Sequence, residues 1–264
     1  MNNSNTFTPS TQVAILAGGK STRMKSPLPK ILHNLHGNSL LHYVVDAARE
    51  ANGTAPLVVV NPDNKEAIER VFKREITYVT QELARGTGHA VQSIPSDLLR
   101  GSSHLVVLYG DHPLVTGQTV RRLIEAHAAS HTPVTIMTVT VPHFIDDYSV
   151  FTAFGRVVRT ANGTLDRIVE YKDARNTEKN IKEVNPGYYC FSLPWLFAHL
   201  SKLKDNNAQR EYYLTDLIGM ARGEGEDVVV VPIDDPFEGM GVNTPEEFAQ
   251  AEKIMEKRLS GAVH

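Results

Sequence analysis

The sequence predicts an α/β fold in which a mostly parallel sheet is wound by helices on both faces and carries one antiparallel insertion. Three observations predict it. Short apolar runs alternate with amphipathic stretches from Val13 to Val141, as in successive βαβ units. A glycine turn follows the first apolar run, and such sheets bind ligands beyond the carboxyl ends of their strands. From Gly155 onward the pattern changes to short strands joined at an Asn-Gly turn.

The first strand is Val13–Leu16, an apolar run bounded by a turn. Gly18-Gly19 then open a loop that holds Lys20, Arg23, Lys25 and Lys30. Without a Cβ the backbone can pass close to a ligand, and backbone N–H groups with nearby cations can hold a polyphosphate. A P-loop fits poorly: Gly19-Lys20-Ser21 matches its end, but Ala14 stands where that pattern needs Gly. Ser26-Pro27-Leu28-Pro29 also falls where a P-loop enters its helix. A basic surface loop without a ligand is the bland alternative.

Ser39 is a plausible N-cap for the helical spacing of Leu40, Leu41, Val44, Val45 and Ala48. Leu57–Val60 is a second strand ended by Asn61-Pro62, Glu66–Lys73 an amphipathic helix, and Ile76–Thr80 a third strand. The third strand leads to Gln81 and to Gly86-Thr87-Gly88, a second glycine turn opening a helix over His89–Ile94. The Gln81 amide can donate and accept, and the turn offers backbone groups at close range, which suits a planar base. An ordinary strand-to-helix turn has the same pattern.

Leu105–Tyr109 is a fourth strand. Asp111, after Gly110 at its carboxyl end, is placed to hold Mg²⁺ near phosphates or to start a turn before Pro113. His112 has no second His or Cys at ligand spacing and reads as lip or core. A helix over Thr119–Ala129 and a fifth strand over Val134–Val141 follow.

In the insertion, Arg156–Arg159 and Leu165–Tyr171 form a hairpin around Asn162-Gly163, and Val184–Phe191 reads as one more strand. Gly155, Glu170 and Asn185 each stand at a strand end, where a carboxylate and an amide can bond sugar hydroxyls or an acetamido group. Edge-strand solvation explains any one of them alone. Helices over Leu193–Leu203 and after Asp216, a strand over Val228–Pro232 and a last, outer helix over Pro245–Leu259 complete the chain. Thr244–Glu247 is a capping box with Pro at the first helical position. Asn243, just before it, can turn its amide oxygen inward, sharing Mg²⁺ with one carboxylate, phosphate oxygens and waters.

Lys and Arg number 27 against 30 Asp and Glu, a net charge of −3, which argues against a general nucleic-acid or membrane-surface role but permits a local basic pocket. Cys190 is the single cysteine, so neither an intramolecular disulfide nor a cysteine-cluster metal site is expected, and a reducing compartment fits. Residues 1–11 read as a flexible tail without a signal-peptide core, and no apolar run is long enough to span a bilayer. A cytoplasmic location is expected.

Several separated stretches now point one way: LAGGKSTRM with a following PK, Q with GTGHA, YGDHPL, FGRVVR with IVEYKDA, EVNPGYY, NNAQREYYLTD and GVNTPEEF. Together they resemble the uridyltransferase domain of the bifunctional N-acetylglucosamine-1-phosphate uridyltransferase/glucosamine-1-phosphate acetyltransferase family, from about Gln12 to the last helix. The resemblance implies a Rossmann-like nucleotidyltransferase fold. It also implies Mg²⁺-assisted transfer of UMP from UTP to N-acetylglucosamine 1-phosphate, or a close amino-sugar 1-phosphate, with release of pyrophosphate. In this likeness Leu16, Ala17, Gly18 and Gly19, with Gln81, Gly86 and Thr87, hold the uridine. Arg23 and Lys30 are catalytic cations on the triphosphate, and Asp111 and Asn243 hold Mg²⁺. Tyr109, Gly155, Glu170 and Asn185 take the amino sugar. The chain then divides into a nucleotide-binding part over 12–141 and a sugar-binding part over 142–243 of a single domain, 12–264. The attacking sugar phosphate is already ionised, so positioning and charge carry the chemistry and no general base is required.

Some residues depart from the family pattern. Gly18 and Ser21 stand where Ala and Gly are usual, His112 where Val is, and Pro186 where Thr is. The segment Phe144–Phe154 also differs, and the later changes bear on which sugar is used. No hexapeptide repeats are present, so the β-helix that carries the family's acetyltransferase and builds its trimer is expected to be absent, and no oligomeric state is assigned. The alternatives are a nucleotidyltransferase for another sugar or base and a non-catalytic nucleotide-sugar sensor. Guanylyltransferases of molybdenum-cofactor synthesis share the Leu-Ala-Gly-Gly opening.

Overall fold

The computed structural model describes residues 10–19, 22–24 and 26–261. The expected tail lies outside the described residues as far as residue 9, and so do Lys20, Ser21 and Lys25 of the glycine loop. Ser10 is already tied to the sheet, its carbonyl accepting from Ser103 N–H at 2.7 Å.

Strand β1 (Thr11–Leu16) is covered on both faces: Val13 and Ile15 point into one apolar layer, Ala14 and Leu16 into the other. A small hairpin of β2 (Asn34–Leu35) and β3 (Asn38–Ser39) leads into α1 (Leu40–Asn52). The Ser39 hydroxyl caps α1 by accepting from His42 N–H, as the spacing predicts. After β4 (Leu57–Val60), helix α2 (Pro62–Phe72) starts at Pro62 rather than Glu66. Asn61 and Asn64 form a capping box, and proline at the first helical position needs no N–H. Then come β5 (Thr77–Thr80), α3 (Thr87–Gln92), β6 (His104–Tyr109), α4 (Gly117–Ala129) and β7 (Val134–Thr140). The run β5-β4-β1-β6 is parallel throughout.

The insertion begins with a hairpin of β8 (Gly155–Arg159) and β9 (Leu165–Val169), with Asn162-Gly163 in its connecting loop. β9 ends at Val169, so Glu170 lies just past the strand rather than within one running to Tyr171. After the short α5 (Asn176–Lys179), the strand expected over Val184–Phe191 is broken into β10 (Glu183–Asn185) and β11 (Tyr189–Ser192). Pro186 has no N–H for the ladder, and Gly187 bends the chain with a φ of +89°. β11 inserts antiparallel between β6 and β7. Helices α6 (Leu193–Leu200) and α7 (Asp216–Gly223) precede β12 (Val228–Pro232), which runs parallel along the other side of β7. The capped helix α8 (Pro245–Leu259) ends the fold.

Residues of α1, α2, α4 and α8 bury in one apolar layer and those of α3, α6 and α7 in the other, so helices cover both faces. No helix among the described residues is long and apolar enough to cross a membrane.

Glu178 joins α5 to β9. Its carboxylate accepts from Arg175 N–H at 2.8 Å, Arg175 Nη2 at 2.7 Å and Arg167 Nη2 at 2.7 Å. The Arg175 side chain, then its backbone, push the carboxyl down to about 2. Because the folded value lies below the unfolded one, this stabilisation is complete above about 4.5 and is lost as pH falls through about 2. Glu178→Gln is expected to cost about 2 kcal/mol at pH 7, the scale of charge-assisted hydrogen bonds. Urea midpoints of the two proteins should converge between pH 4.5 and 2. A constant difference across that window would assign the effect to packing.

Candidate active site

The carboxyl ends of β1 and β6 are neighbours, so the segments that follow them meet. Gly110 N–H donates to the Leu16 carbonyl at 2.9 Å, and Val242 N–H to the Asp111 carbonyl at 2.8 Å, which brings the segment before α8 to the same edge. There Lys30 Nζ lies 2.5 Å from both Asp111 Oδ2 and Asn243 Oδ1. Arg23 Nη2 donates to Asn243 Oδ1 at 3.0 Å. Burial opposes the charge on Asp111, but the Lys30 ammonium, His112 and local hydrogen bonds outweigh it and hold the carboxyl below its ordinary value. Two oxygens therefore converge on one cationic centre. A carboxylate and an amide oxygen suit a hard cation that keeps its other positions for phosphate and water, and the ammonium stands at that focus. Among the described residues, no three His, Cys, Asp or Glu side chains gather as a metal cluster.

The first glycine turn is held from behind. Asn64 Nδ2 donates to the Ala17 carbonyl at 2.7 Å and Asn61 Nδ2 to the Gly18 carbonyl at 2.8 Å. The cap of α2 thus occupies the acceptors that would repel a phosphate. Neither asparagine was singled out from the sequence. The signal was present as Asn61-Pro62-Asp63-Asn64, a capping box read there only as the end of a strand.

On the other side, Gln81 is buried, and its amide does not both donate and accept toward a ligand. Nε2 donates to the Gly86 carbonyl at 3.1 Å and to His89 Nδ1 at 3.0 Å. Both amide hydrogens are spent, which leaves Oε1 facing Gly18. The second glycine turn is bonded to the segment before α7: Tyr212 N–H to the Arg85 carbonyl at 2.8 Å, Gly88 N–H to the Tyr212 carbonyl at 2.8 Å, and Leu214 N–H to Thr87 Oγ1 at 3.0 Å. Gly86 has a φ of +105°, and a Cβ there would meet Tyr212 O at 2.7 Å and Tyr212 N at 2.8 Å. Gly86→Ala is therefore expected to part this seam, lowering stability by about 2 kcal/mol or more and weakening nucleotide binding. Chemical denaturation with a nucleotide titration checks this; wild-type values in both would show that the turn yields.

A cavity of about 410 Å³ connects these parts. Every nucleotide-side residue named from the sequence lines it, from Leu16 through Gly19 with Gln81, Gly86 and Thr87, as do Lys30, Tyr109 and Asp111. Arg23 and Asn243 are not in the lining but join it through Asn243 and Lys30. Glu211 lines it too, although no residue of the 206–216 run carried an assigned role.

Gly155, Glu170 and Asn185 form a separate group. Gly155 and Asn185 are partners across β8 and β10, and a Cβ on Gly155 would lie 3.5 Å from Glu170 Oε2. They do not line the cavity. Tyr109 links the two places: burial first, then the charges of Glu170 and Asp111, raise its phenol above the ordinary value. Asn185 Nδ2 donates to the Tyr189 hydroxyl at 2.6 Å, and its Oδ1 accepts from Gly187 N–H at 3.2 Å. Behind Gly155, fully buried Arg156 donates to the carbonyls of Phe154, Thr152 and Lys179 and lies 4.4 Å from the Phe144 ring centre. It pins the segment that departs from the family pattern. His112 is core beside the site: it is buried, pairs through Nδ1 with the Tyr188 hydroxyl at 3.1 Å, and burial pushes it down to about 4.

Residues 13–211 match the MobA-like NTP transferase domain. The chain is 40% identical over 250 residues to the bifunctional protein GlmU of Clostridium tetani, covering 95% of this chain and 53% of that protein. It is 42% identical over 249 residues to the bifunctional protein GlmU of Trichlorobacter lovleyi, covering 93% and 52%. The chain thus spans about half the length of the curated relatives it matches. Among solved structures, a CMP:2-keto-3-deoxy-manno-octonic acid synthetase complexed with CTP superposes with a TM-score of 0.67 over 94% of this chain and 99% of that one. The two are 18% identical, so the likeness carries the fold alone.

Proposed function

Because the chain belongs to the MobA-like NTP transferase family, we propose that it transfers UMP from UTP to N-acetylglucosamine 1-phosphate, or to a close amino-sugar 1-phosphate, and releases pyrophosphate. The observation that carries the reading is the focus of Asp111 Oδ2 and Asn243 Oδ1 on the Lys30 ammonium beside the glycine turn, with both contacts at 2.5 Å. The likeness to the GlmU relatives supports the choice of UTP and of an amino sugar.

Asp111 and Asn243 would hold Mg²⁺. When bound, Mg²⁺ supplies Lewis-acid neutralisation of phosphate charge. Lys30 and Arg23 face the same charge, and Lys30 has to leave the two oxygens for the triphosphate. The Gly18-Gly19 backbone takes the nucleotide close in, and Gln81 with the Gly86-Thr87 turn orients the base. Gly155, Glu170 and Asn185 orient the sugar, with Tyr109 between it and the phosphates. An oxygen of the sugar phosphate attacks the α-phosphorus in line. The bond from that phosphorus to the bridging oxygen breaks, and its electrons leave with pyrophosphate. The nucleophile is already an anion, so the site needs placed charge rather than a base.

The test is pyrophosphate release with UTP and Mg²⁺ across a panel of sugar 1-phosphates that includes N-acetylglucosamine 1-phosphate. Turnover with that sugar is the expected result. Turnover only with another sugar would move the specificity to Pro186 and the Phe144–Phe154 segment. Silence across the panel, with UDP-sugar still bound, would make the protein a sensor.

A further inference from the structure

The hydrogen bonds of Gln81 carry more than an orientation. A carbonyl can only accept, so the Gly86 oxygen demands a donor from Gln81, and the NH₂ group must face it. His89 Nδ1, 3.0 Å from the same nitrogen, takes the second hydrogen and is itself placed by its helix and by Tyr212, whose ring centre stacks 6.5 Å away. Burial, then the Arg85 charge, lower the basicity of His89, while a backbone hydrogen bond to Leu83 acts against them; the NH₂ group facing Nδ1 assigns the tautomer with its lone pair there. What remains of Gln81 is Oε1, which lies 3.1 Å from where a Cβ on Gly18 would stand, at the wall of the cavity.

We propose that His89 is a positioning residue for base choice: with the Gly86 carbonyl it spends both Gln81 hydrogens, so the wall offers an acceptor alone. Such a wall accepts a base whose ring nitrogen carries hydrogen, as N3 of uracil does. It meets a base with a lone pair at that place, as N3 of cytosine has, with two acceptors facing each other. A freely turning glutamine amide would serve both bases and separate neither. The inference rests on the uridine reading above and gives it a mechanism of selection.

The experiment compares UTP with CTP for the wild-type protein, His89→Phe and His89→Asn. Dissociation constants of each nucleotide are measured by titration, and kcat/KM by pyrophosphate release. Phenylalanine keeps the ring against Tyr212 but removes the acceptor, whereas asparagine puts an amide oxygen near the place of Nδ1. Wild type should favour UTP by about a hundredfold or more. In His89→Phe the UTP-to-CTP ratio should fall roughly tenfold, the scale of losing one of the two hydrogen bonds that hold the amide against turning. His89→Asn should restore most of it. If His89→Phe proves too unstable to assay, His89→Leu, which is smaller and also lacks the acceptor, is read in its place. A wild-type ratio in the variant without an acceptor, or an equal loss for both nucleotides, overturns the lock while leaving the uridine reading in place. So does His89→Asn behaving like His89→Phe. A wild-type protein that prefers CTP, or shows no preference, overturns the uridine reading itself.

Discussion

Lys30→Ala lowers turnover by roughly two orders of magnitude or more, the scale of losing one preorganised charge at a transition state. Lys30 is buried, and its ammonium is held by Asp111 and Asn243 rather than by solvent. Such a cation does not reorganise water when charge develops on the transferring phosphate, which is what makes it worth more than a surface lysine. The substitution has a second, opposite effect. Without the ammonium at their focus, Asp111 and Asn243 lose a competitor for a divalent cation, with Arg23 left on Asn243 alone, so Mg²⁺ or Mn²⁺ should bind the free protein more tightly as catalysis collapses. The two readouts together separate a catalytic cation from a structural one. Near-normal turnover removes Lys30 from the mechanism, and weaker metal binding contradicts the shared focus.

Asp111→Asn is the larger loss, with turnover down by about three orders of magnitude. The amide keeps the shape of the carboxylate but removes the one negative charge at the cation's place. Binding of Mn²⁺, followed by its paramagnetic signal, should weaken in parallel, whereas nucleotide binding without metal should change little. The Asp111 carboxyl is held below its ordinary value, chiefly by Lys30 against the cost of burial. Its charge therefore persists to lower pH than that of an ordinary aspartate, and the stability it brings is present above the unfolded value and lost as pH falls through the folded one. Above the ordinary carboxylate range the Asp111 charge therefore adds no pH dependence of its own to activity. A variant that keeps full turnover would return Asp111 to the role of a turn residue.

Much of this was legible locally. Ser39 and Thr244 announce helix starts because a cap needs only its own next three residues. Asp111 at the end of β6 was legible because strand ends in wound sheets are where sites form. What was not legible depends on distant pairing. Tyr189–Ser192 gives no local sign that it inserts antiparallel between β6 and β7, and its separation from β10 hangs on Pro186 and Gly187 acting together. The spending of Gln81's hydrogens on Gly86 and His89 is a matter of three-dimensional reach. So is the approach of Arg23 to Asn243, 220 positions apart. The cap of α2 lay in plain view, but its grip on the Ala17 and Gly18 carbonyls did not.

The seam between the second glycine turn and the segment before α7 has a consequence for how the molecule comes into being. Arg85, Thr87 and Gly88 are bonded to Tyr212 and Leu214, which lie beyond the whole insertion. As a nascent chain leaves the ribosome, the parallel strands can assemble long before residue 214 is available, yet the base-side wall has nothing to rest on until then. The Asp111–Asn243 pair waits longer still. A nucleotide therefore cannot template early folding. It is a ligand of the finished molecule, and a chain stalled anywhere within the insertion would lack the base-side wall of the cavity.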